Sequence, residues 1–413
     1  LLWSDDLFVT SQSAAGLQIA IDKVAIFYSS LGLQLNVKKT KILIFNKAGR
    51  VLQDHKFFLA GSQLEVADCY QYLGIKLRPS GSLSFAAEEL SKKARKAWYS
   101  ISNVIYKDKR MSVTRAFQLF DSLVSPVALY GCEFWLPHVL TNKSFNGQAN
   151  LLSSWESLKC ETINQQCSRM LLSVHKKASR LAVLGDLGRY PLAVKAMAQT
   201  FNYKLSLASK PANTPIGLAL AEMQVMAQQG TDCWLTRTNK MSELLKLPKI
   251  HYGKLSGRHT LKLVQSRFDR YWLDEISSTR VGRDGAEHNK LLTYSSFEGF
   301  FGTEPFVALV NNRNQRCHLS RLRVSAHRLG IEVLRYKRPK VARDQRFCAY
   351  CPPVPGPAGQ AAVRPVDDEL HCMTECIVGR VERLALYNSI GSRNSKFTNS
   401  SNVEKFNMLV CPT

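Results

Sequence analysis

Little in this chain is acidic. Asp and Glu number 32 against 56 Lys and Arg among 413 residues, for a formal net charge of +24. That balance points to a polyanionic partner, nucleic acid ahead of a membrane surface. No run of 18 apolar residues occurs, which excludes an expected membrane-spanning helix. The succession of basic, apolar and small-residue segments that marks a secretory leader is missing too. There is no internal repeat, no Gly-rich phosphate loop and no hydrolase triad. The cysteines are odd in number, 11, and scattered except near the C-terminus. They do not form a disulfide framework and suit a reducing, intracellular compartment, nuclear or cytoplasmic. Apolar residues, at 45%, suffice for a sizeable core, and the length predicts two or three domains.

What is present starts with Leu1-Leu2-Trp3-Ser4-Asp5-Asp6-Leu7-Phe8-Val9, two adjacent acids between two apolar runs. It reads as strand, turn, strand. Alone, the pair is an acidic hairpin turn of any sheet, because Asp is a turn residue. Two carboxylates on a tight turn are also what a site for divalent cations needs. The chain opens on Leu inside an expected strand and so reads as a piece of a longer protein. Leu17, Ile21, Val24, Tyr28 and Leu31 mark one face of a helix, with Ser11 or Ser13 as cap and Gly32 after its end. Leu33–Val37 alternates, Ile42–Phe45 is an apolar run, and Phe57–Val66 reads as a hairpin around Gly61. A strand over Tyr70–Ile75 closes a small α+β unit. From about residue 82 the period turns helical, on Leu83, Ala87, Leu90, Ala94, Ala97, Ile101 and Val104. The expected fold class is α+β, a short antiparallel unit followed by a mostly helical body.

Near the C-terminus, Cys348-x2-Cys351 is followed by nineteen residues and then His371-x4-Cys376. Three thiolates and one imidazole make a closed tetrahedral zinc set. Cys372 is a rival ligand beside His371, and free thiols on a loop are the alternative. Basic residues cluster at Lys92, Lys93, Arg95 and Lys96, at Lys107 to Arg110, and again from Arg316 to Arg346.

In this order the elements resemble the reverse transcriptases of non-LTR (LINE-type) retrotransposons. Trp3-Ser4-Asp5-Asp6 stands where those enzymes carry an aromatic residue and Ala-Asp-Asp. Gly32-Leu33-Gln34-Leu35-Asn36-Val37-Lys38-Lys39-Thr40 is similar to their Gly-Leu-x-x-Asn-x-x-Lys-Thr signature. Tyr70–Ile75 resembles the primer-grip strand, and Leu123–Gly131 and Leu184–Leu192 the helical region beyond the palm. Arg321–His327 is similar to the lead-in to the C-terminal zinc motif, in which paired cysteines precede an Asp-Glu step, His and Cys. Trp3-Ser4 departs from the commoner Tyr or Phe followed by Ala.

The resemblance implies RNA-directed DNA synthesis from a primed 3′-hydroxyl, with an RNA template, a DNA primer or target and an RNA–DNA duplex as partners. It makes Asp5 a direct magnesium ligand and Asp6 a supporting one. It sets Lys39 near the incoming nucleotide's phosphates, although a lysine run is also an ordinary solvated turn. Tyr72, Leu73 and Gly74 become a primer grip or, equally, core strand residues. Lys92, Lys93, Arg95 and Lys96 face a duplex or simply water. Arg321 and Arg323 join the zinc set, Cys348, Cys351, His371 and Cys376, as an RNA platform. The expected division is 1–78 palm end, 79–145 thumb, 146–315 helical connector, 316–390 basic segment with zinc motif, and 391–413 tail. The family's first palm motif, with its metal-binding Asp, would precede residue 1, so this chain alone is expected not to polymerise DNA. A non-catalytic nucleic-acid-binding protein derived from such an element is the competing expectation.

Overall fold

The computed structural model describes all residues except 1, 4–5, 53, 109, 142–147, 248–256, 279, 282–286, 289–290, 311, 340, 355–361 and 412–413. Helices dominate, strands are short, and most strands fall within the first 77 residues, an α+β architecture. Leu2–Trp3 pairs antiparallel with Asp6–Leu7, Trp3 lying opposite Asp6. Asp6 is therefore a strand residue rather than part of the turn, and Asp5 lies outside the described residues.

Helix Ala14–Ser30 begins where the Ser13 hydroxyl accepts from the Gly16 amide at 3.1 Å. It ends at Gly32, whose φ of 71° lets the chain reverse. Beneath it Lys41–Ile42 runs parallel to Ser62–Val66, which pairs antiparallel with Phe57–Leu59. Ala60 and Gly61 supply the two positive φ angles, 47° and 77°, that a tight hairpin turn requires. Gln18 clamps this sheet to the helix, donating to the Phe58 carbonyl and accepting from its amide, both at 2.9 Å. Ile21, Ile42, Phe57, Leu59 and Leu64 form the small core between them.

Two expected strands resolve differently. Leu33–Val37 is a loop, because Asn36 gathers the backbone into a turn. The Lys39 and Thr40 amides donate to its carbonyl at 3.1 and 2.9 Å, and its side chain accepts from Lys39 at 3.1 Å. Tyr70–Ile75 is a hairpin instead of one strand: Tyr70–Tyr72 folds back on Ile75–Leu77. The reversal sits at Leu73 and Gly74, both left-handed at φ 43° and 82°.

The helical body starts with Ser84–Lys107, which buries Ala86, Leu90, Ala94, Trp98 and Ile105 and leaves Val104 exposed. The next helix stops at Leu123, and Ser125–Ala128 restarts with Pro126 in its first turn, since proline has no N–H to continue the ladder of the helix before it. Leu192–Ala208 occupies the middle, buries nine residues, and packs against Cys132–Thr141 and Gly257–Ser277. One apolar core runs from Leu90 to Ala326. The Gly185–Gly188 stretch, which reads as a break in sequence, is a packing junction. A Cβ on Gly185 would lie 2.4 Å from the Trp272 ring, so only glycine admits that contact. No described helix is long and apolar enough to cross a membrane.

Candidate metal centre and nucleic-acid interface

Short backbone pairings position the cysteines. Phe347 bridges to Val366, and the Cys348 amide donates to the Pro365 carbonyl at 2.8 Å. Asp368 then caps helix Glu369–Thr374 by accepting from the His371 amide at 2.9 Å. At the far end the Glu375 and Cys376 amides both donate back to the His371 carbonyl, at 2.9 and 2.8 Å. This return places Cys376 beside the paired cysteines. Its sulfur lies 3.9 Å from Sγ of Cys348 and 3.9 Å from Sγ of Cys351. His371 Nε2 lies 3.3 Å from Sγ of Cys351.

All four residues are buried, and their ligand atoms lie within 4.8 Å of one another. A tetrahedral zinc with bonds of about 2.3 Å holds its sulfurs roughly 3.8 Å apart, close to the spacing found here. The donor set therefore fits zinc. Cys372 is half-buried and outside this group. Two details favour a bound cation. Burial works against the Cys348 thiolate, but the Tyr350 and Cys351 amides and His371 outweigh it, lowering its pKa to about 7. Nδ1 of His371 is buried without a hydrogen bond, while Oε2 of Glu375 stands 3.5 Å away, where a carboxylate orients a ligating imidazole.

The acids just before His371 have roles that sequence reading left undefined. Asp367 accepts from the Gly330 amide at 2.5 Å. Glu369 is buried and accepts from Ser325 at 3.0 Å, His327 at 2.9 Å and Thr293 at 3.0 Å. Burial works to raise its pKa, yet the hydrogen bond and charge of His327 hold it below the usual range. Asp367 and Glu369 thus fasten the zinc motif to the helical body.

Arg323 corrects an expectation. It is 1% exposed and faces Asp186 at 3.0 Å, Glu298 at 2.7 Å and Glu304 at 2.9 Å; it also donates to the Val410 carbonyl. A guanidinium enclosed by three carboxylates has no face for a phosphate. Burial raises Asp186 to about 6 and, with Glu304 beside it, Glu298 to about 8. Arg321, two residues earlier on the helix, is exposed and donates to the Ser173 carbonyl at 3.0 Å.

At the other end of the chain the candidates lie on the surface. Asp6, Lys38 and Lys39 are exposed, the lysines on the turn that Asn36 builds. Tyr72 stacks on Phe8 with ring centroids 5.0 Å apart, which joins the Asp6 strand to the second hairpin. The Tyr130 hydroxyl donates to the Leu73 carbonyl at 2.9 Å, and a Cβ on Gly74 would lie 2.9 Å from the Tyr130 ring. Leu73 is exposed rather than part of a core strand. On helix Ser84–Lys107, Lys93 and Lys96 are exposed. Lys92 pairs with Glu89 at 2.7 Å; Lys76 does so at 2.9 Å, and the two hydrogen bonds hold that carboxyl down at about 2. Arg95 is half-buried, its Nε without a hydrogen bond. Sequence reading missed the exposed Tyr99 and Tyr106 on this helix; their spacing among lysines was the available signal.

Comparison with known proteins adds one relationship. The chain is 26% identical over 144 residues to a Caenorhabditis elegans protein described as "Putative uncharacterized transposon-derived protein". That alignment covers 33% of this chain and 48% of the relative, so the chain spans about half the length of the curated relative it matches. No protein-family model matches the sequence. No solved structure matches it.

Proposed function

We propose that the chain is the C-terminal portion of a non-LTR retrotransposon reverse transcriptase, built to bind nucleic acid. Residues 1–78 would be the end of the palm, 79–145 the thumb, 146–315 the connector, 316–390 the zinc-bearing segment and 391–413 the tail. The observation that carries the reading is the Phe8–Tyr72 stack. It brings the residue after the Asp6–Leu7 strand against the hairpin whose tip is Leu73-Gly74, which supports reading the acid and the primer-grip candidate as neighbours. The transposon-derived relative and the order of motifs support it.

Asp5 and Asp6 would hold magnesium, which lowers the pKa of a primer 3′-hydroxyl and neutralises charge on the leaving group. Two carboxylates alone underfill octahedral coordination, so the chain by itself is inactive. Template-dependent primer extension by the purified chain would sink that statement. Lys39 extends from its turn toward solvent, where an incoming phosphate would meet it. Lys93 and Lys96 would contact the phosphates of an RNA–DNA duplex irrespective of sequence, with Tyr99 beside them for stacking. Reversing Lys93 and Lys96 to Glu should weaken duplex binding for every sequence and flatten its salt dependence by about two ions. An unchanged salt slope would refute the assignment. A non-catalytic nucleic-acid-binding role is the second reading; it needs the exposed lysines and the buried Cys348, Cys351, His371 and Cys376 cluster but no magnesium site.

A further inference from the structure

A cleft of about 400 Å³ opens where helix Val113–Leu123 meets the Leu187-Gly188-Arg189 turn, Val307 and Arg316. Its lining shares no residue with the Cys348, Cys351, His371 and Cys376 cluster or with helix Ser84–Lys107. Three features of its wall carry positive charge inward.

Arg316 is 4% exposed, yet no carboxylate pairs with it among the described residues. Its Nη1 donates to the Val310 carbonyl at 3.0 Å, while its buried Nε has no hydrogen-bond partner. A buried guanidinium without a counter-ion is costly unless an anion arrives. Arg110 stands exposed at the mouth. Between them Ser112 and Val113 bring the start of an 11-residue helix to the wall; the Ser112 hydroxyl takes the Arg115 amide at 3.2 Å, while the amides of the first turn before it and the helix dipole favour negative charge. The one carboxylate in the wall is Asp121, and Arg189 holds it with paired bonds of 2.7 Å, so it does not repel an anion. Met111, Phe117 and Val307 supply apolar wall beside the charges. The volume exceeds what one phosphate fills and suits a small ligand with an apolar part.

We propose that this cleft binds a nucleotide, its phosphate held by Arg316, Arg110 and the amides at the start of helix Val113–Leu123, its base against Met111 and Phe117. The ligand is a free nucleotide or the 5′-phosphorylated end of a strand. Both present the same group, a dianionic phosphate on a sugar. The site goes beyond the thumb assignment and does not depend on it.

Calorimetric titration of the full chain with 5′-AMP, with adenosine and with a 5′-phosphorylated oligonucleotide tests it. AMP is expected to bind and adenosine not. Arg316→Gln and Arg110→Ala should each weaken AMP by roughly tenfold, the loss of one charge-assisted bond. Arg110 is exposed, so its variant keeps the test decisive even if Arg316→Gln unfolds. If Arg110→Ala also weakens the phosphorylated oligonucleotide relative to its hydroxyl-ended counterpart, the source is a strand end; if it weakens AMP alone, the source is a free nucleotide. AMP affinity unchanged in Arg110→Ala, equal binding of adenosine, or no AMP binding overturns the proposal. Lys93→Glu with Lys96→Glu should leave AMP binding intact, which separates failure of this site from failure of the thumb assignment.

Discussion

The two ends of the chain use polar residues in opposite ways. In the N-terminal unit the polar candidate groups are exposed, Asp6 on a short strand and Lys38 and Lys39 on a turn, and the unit's core has five buried side chains. Its helix Ala14–Ser30 buries only Ile21 and leaves Ile26 and Phe27 exposed. In the C-terminal unit Arg323, Glu369, Arg346 and the four metal-ligand candidates are buried. The difference teaches that basic residues of one composition do two kinds of work. Those on regular turns and open helix faces stay available to a partner. Arg323 and Arg346, which fall inside, are matched by partners from elsewhere in the fold and become structural.

The comparison can be broken most severely at the metal candidates. Cys348→Ser should reduce bound zinc from one per chain to none and melt the Glu369–Thr374 region. Zinc sites of this kind contribute about 10–16 kcal/mol of apparent binding energy to folding. Metal analysis with hydrogen exchange checks it, and full zinc content in the variant would refute the ligand set.

Arg323→Met comes next. It would leave Asp186, Glu298 and Glu304 buried together, with an expected loss of about 3–5 kcal/mol in urea unfolding. A loss under 1 kcal/mol would mean that Arg323 is not the centre of the cluster.

Glu298 offers a test by pH. Its folded pKa is raised to about 8, by burial first and then by Glu304, and Asp186 is raised to about 6. A raised carboxyl binds its proton more tightly when folded. Its contribution to stability is therefore present below the unfolded carboxylate range and is lost as pH rises through 8. Glu298→Gln, which copies the protonated form, should match the parent at pH 5 and exceed it by roughly 1–3 kcal/mol at pH 8. A steeper fall with pH in the variant would reverse the sign of this account.

The smallest effect belongs to the N-terminal unit. Asn36→Ala should cost roughly 1 kcal/mol by removing the side-chain acceptor of the Lys39 amide and leaving it the Asn36 carbonyl alone. Melting of the isolated N-terminal transition would report it, and no shift would mean that the loop needs no such fastening.

Much of the local structure was legible. The Gly61 hairpin, the Ser13 cap and the long helix from Ser84 follow from spacing and turn chemistry, which act within a few residues. The Cys348, Cys351, His371 and Cys376 set was legible for the same reason: ligand type and interval are enough to suggest a closed tetrahedron. The hairpin hidden in Tyr70–Leu77 was not, because an apolar run with one glycine reads equally as a strand with a close contact. Nor was the fate of Arg321 and Arg323. They lie two apart on one helix, so one faces water and the other the interior, and only the position of the body decides which.

By itself, then, the sequence determined the α+β class, the positions of turns and helices, the excess of positive charge and the zinc donors. All of these depend on chemistry local to the chain. Tertiary structure alone decided that Asp367 and Glu369 are fasteners, that Arg323 is enclosed by three carboxylates, and that Arg316 is buried without a counter-ion beside an open cleft. These depend on groups from separate elements, tens of residues apart and for Arg323 and Asp186 more than a hundred, meeting in low dielectric, where burial decides whether a charge is available, neutralised or left waiting for a partner.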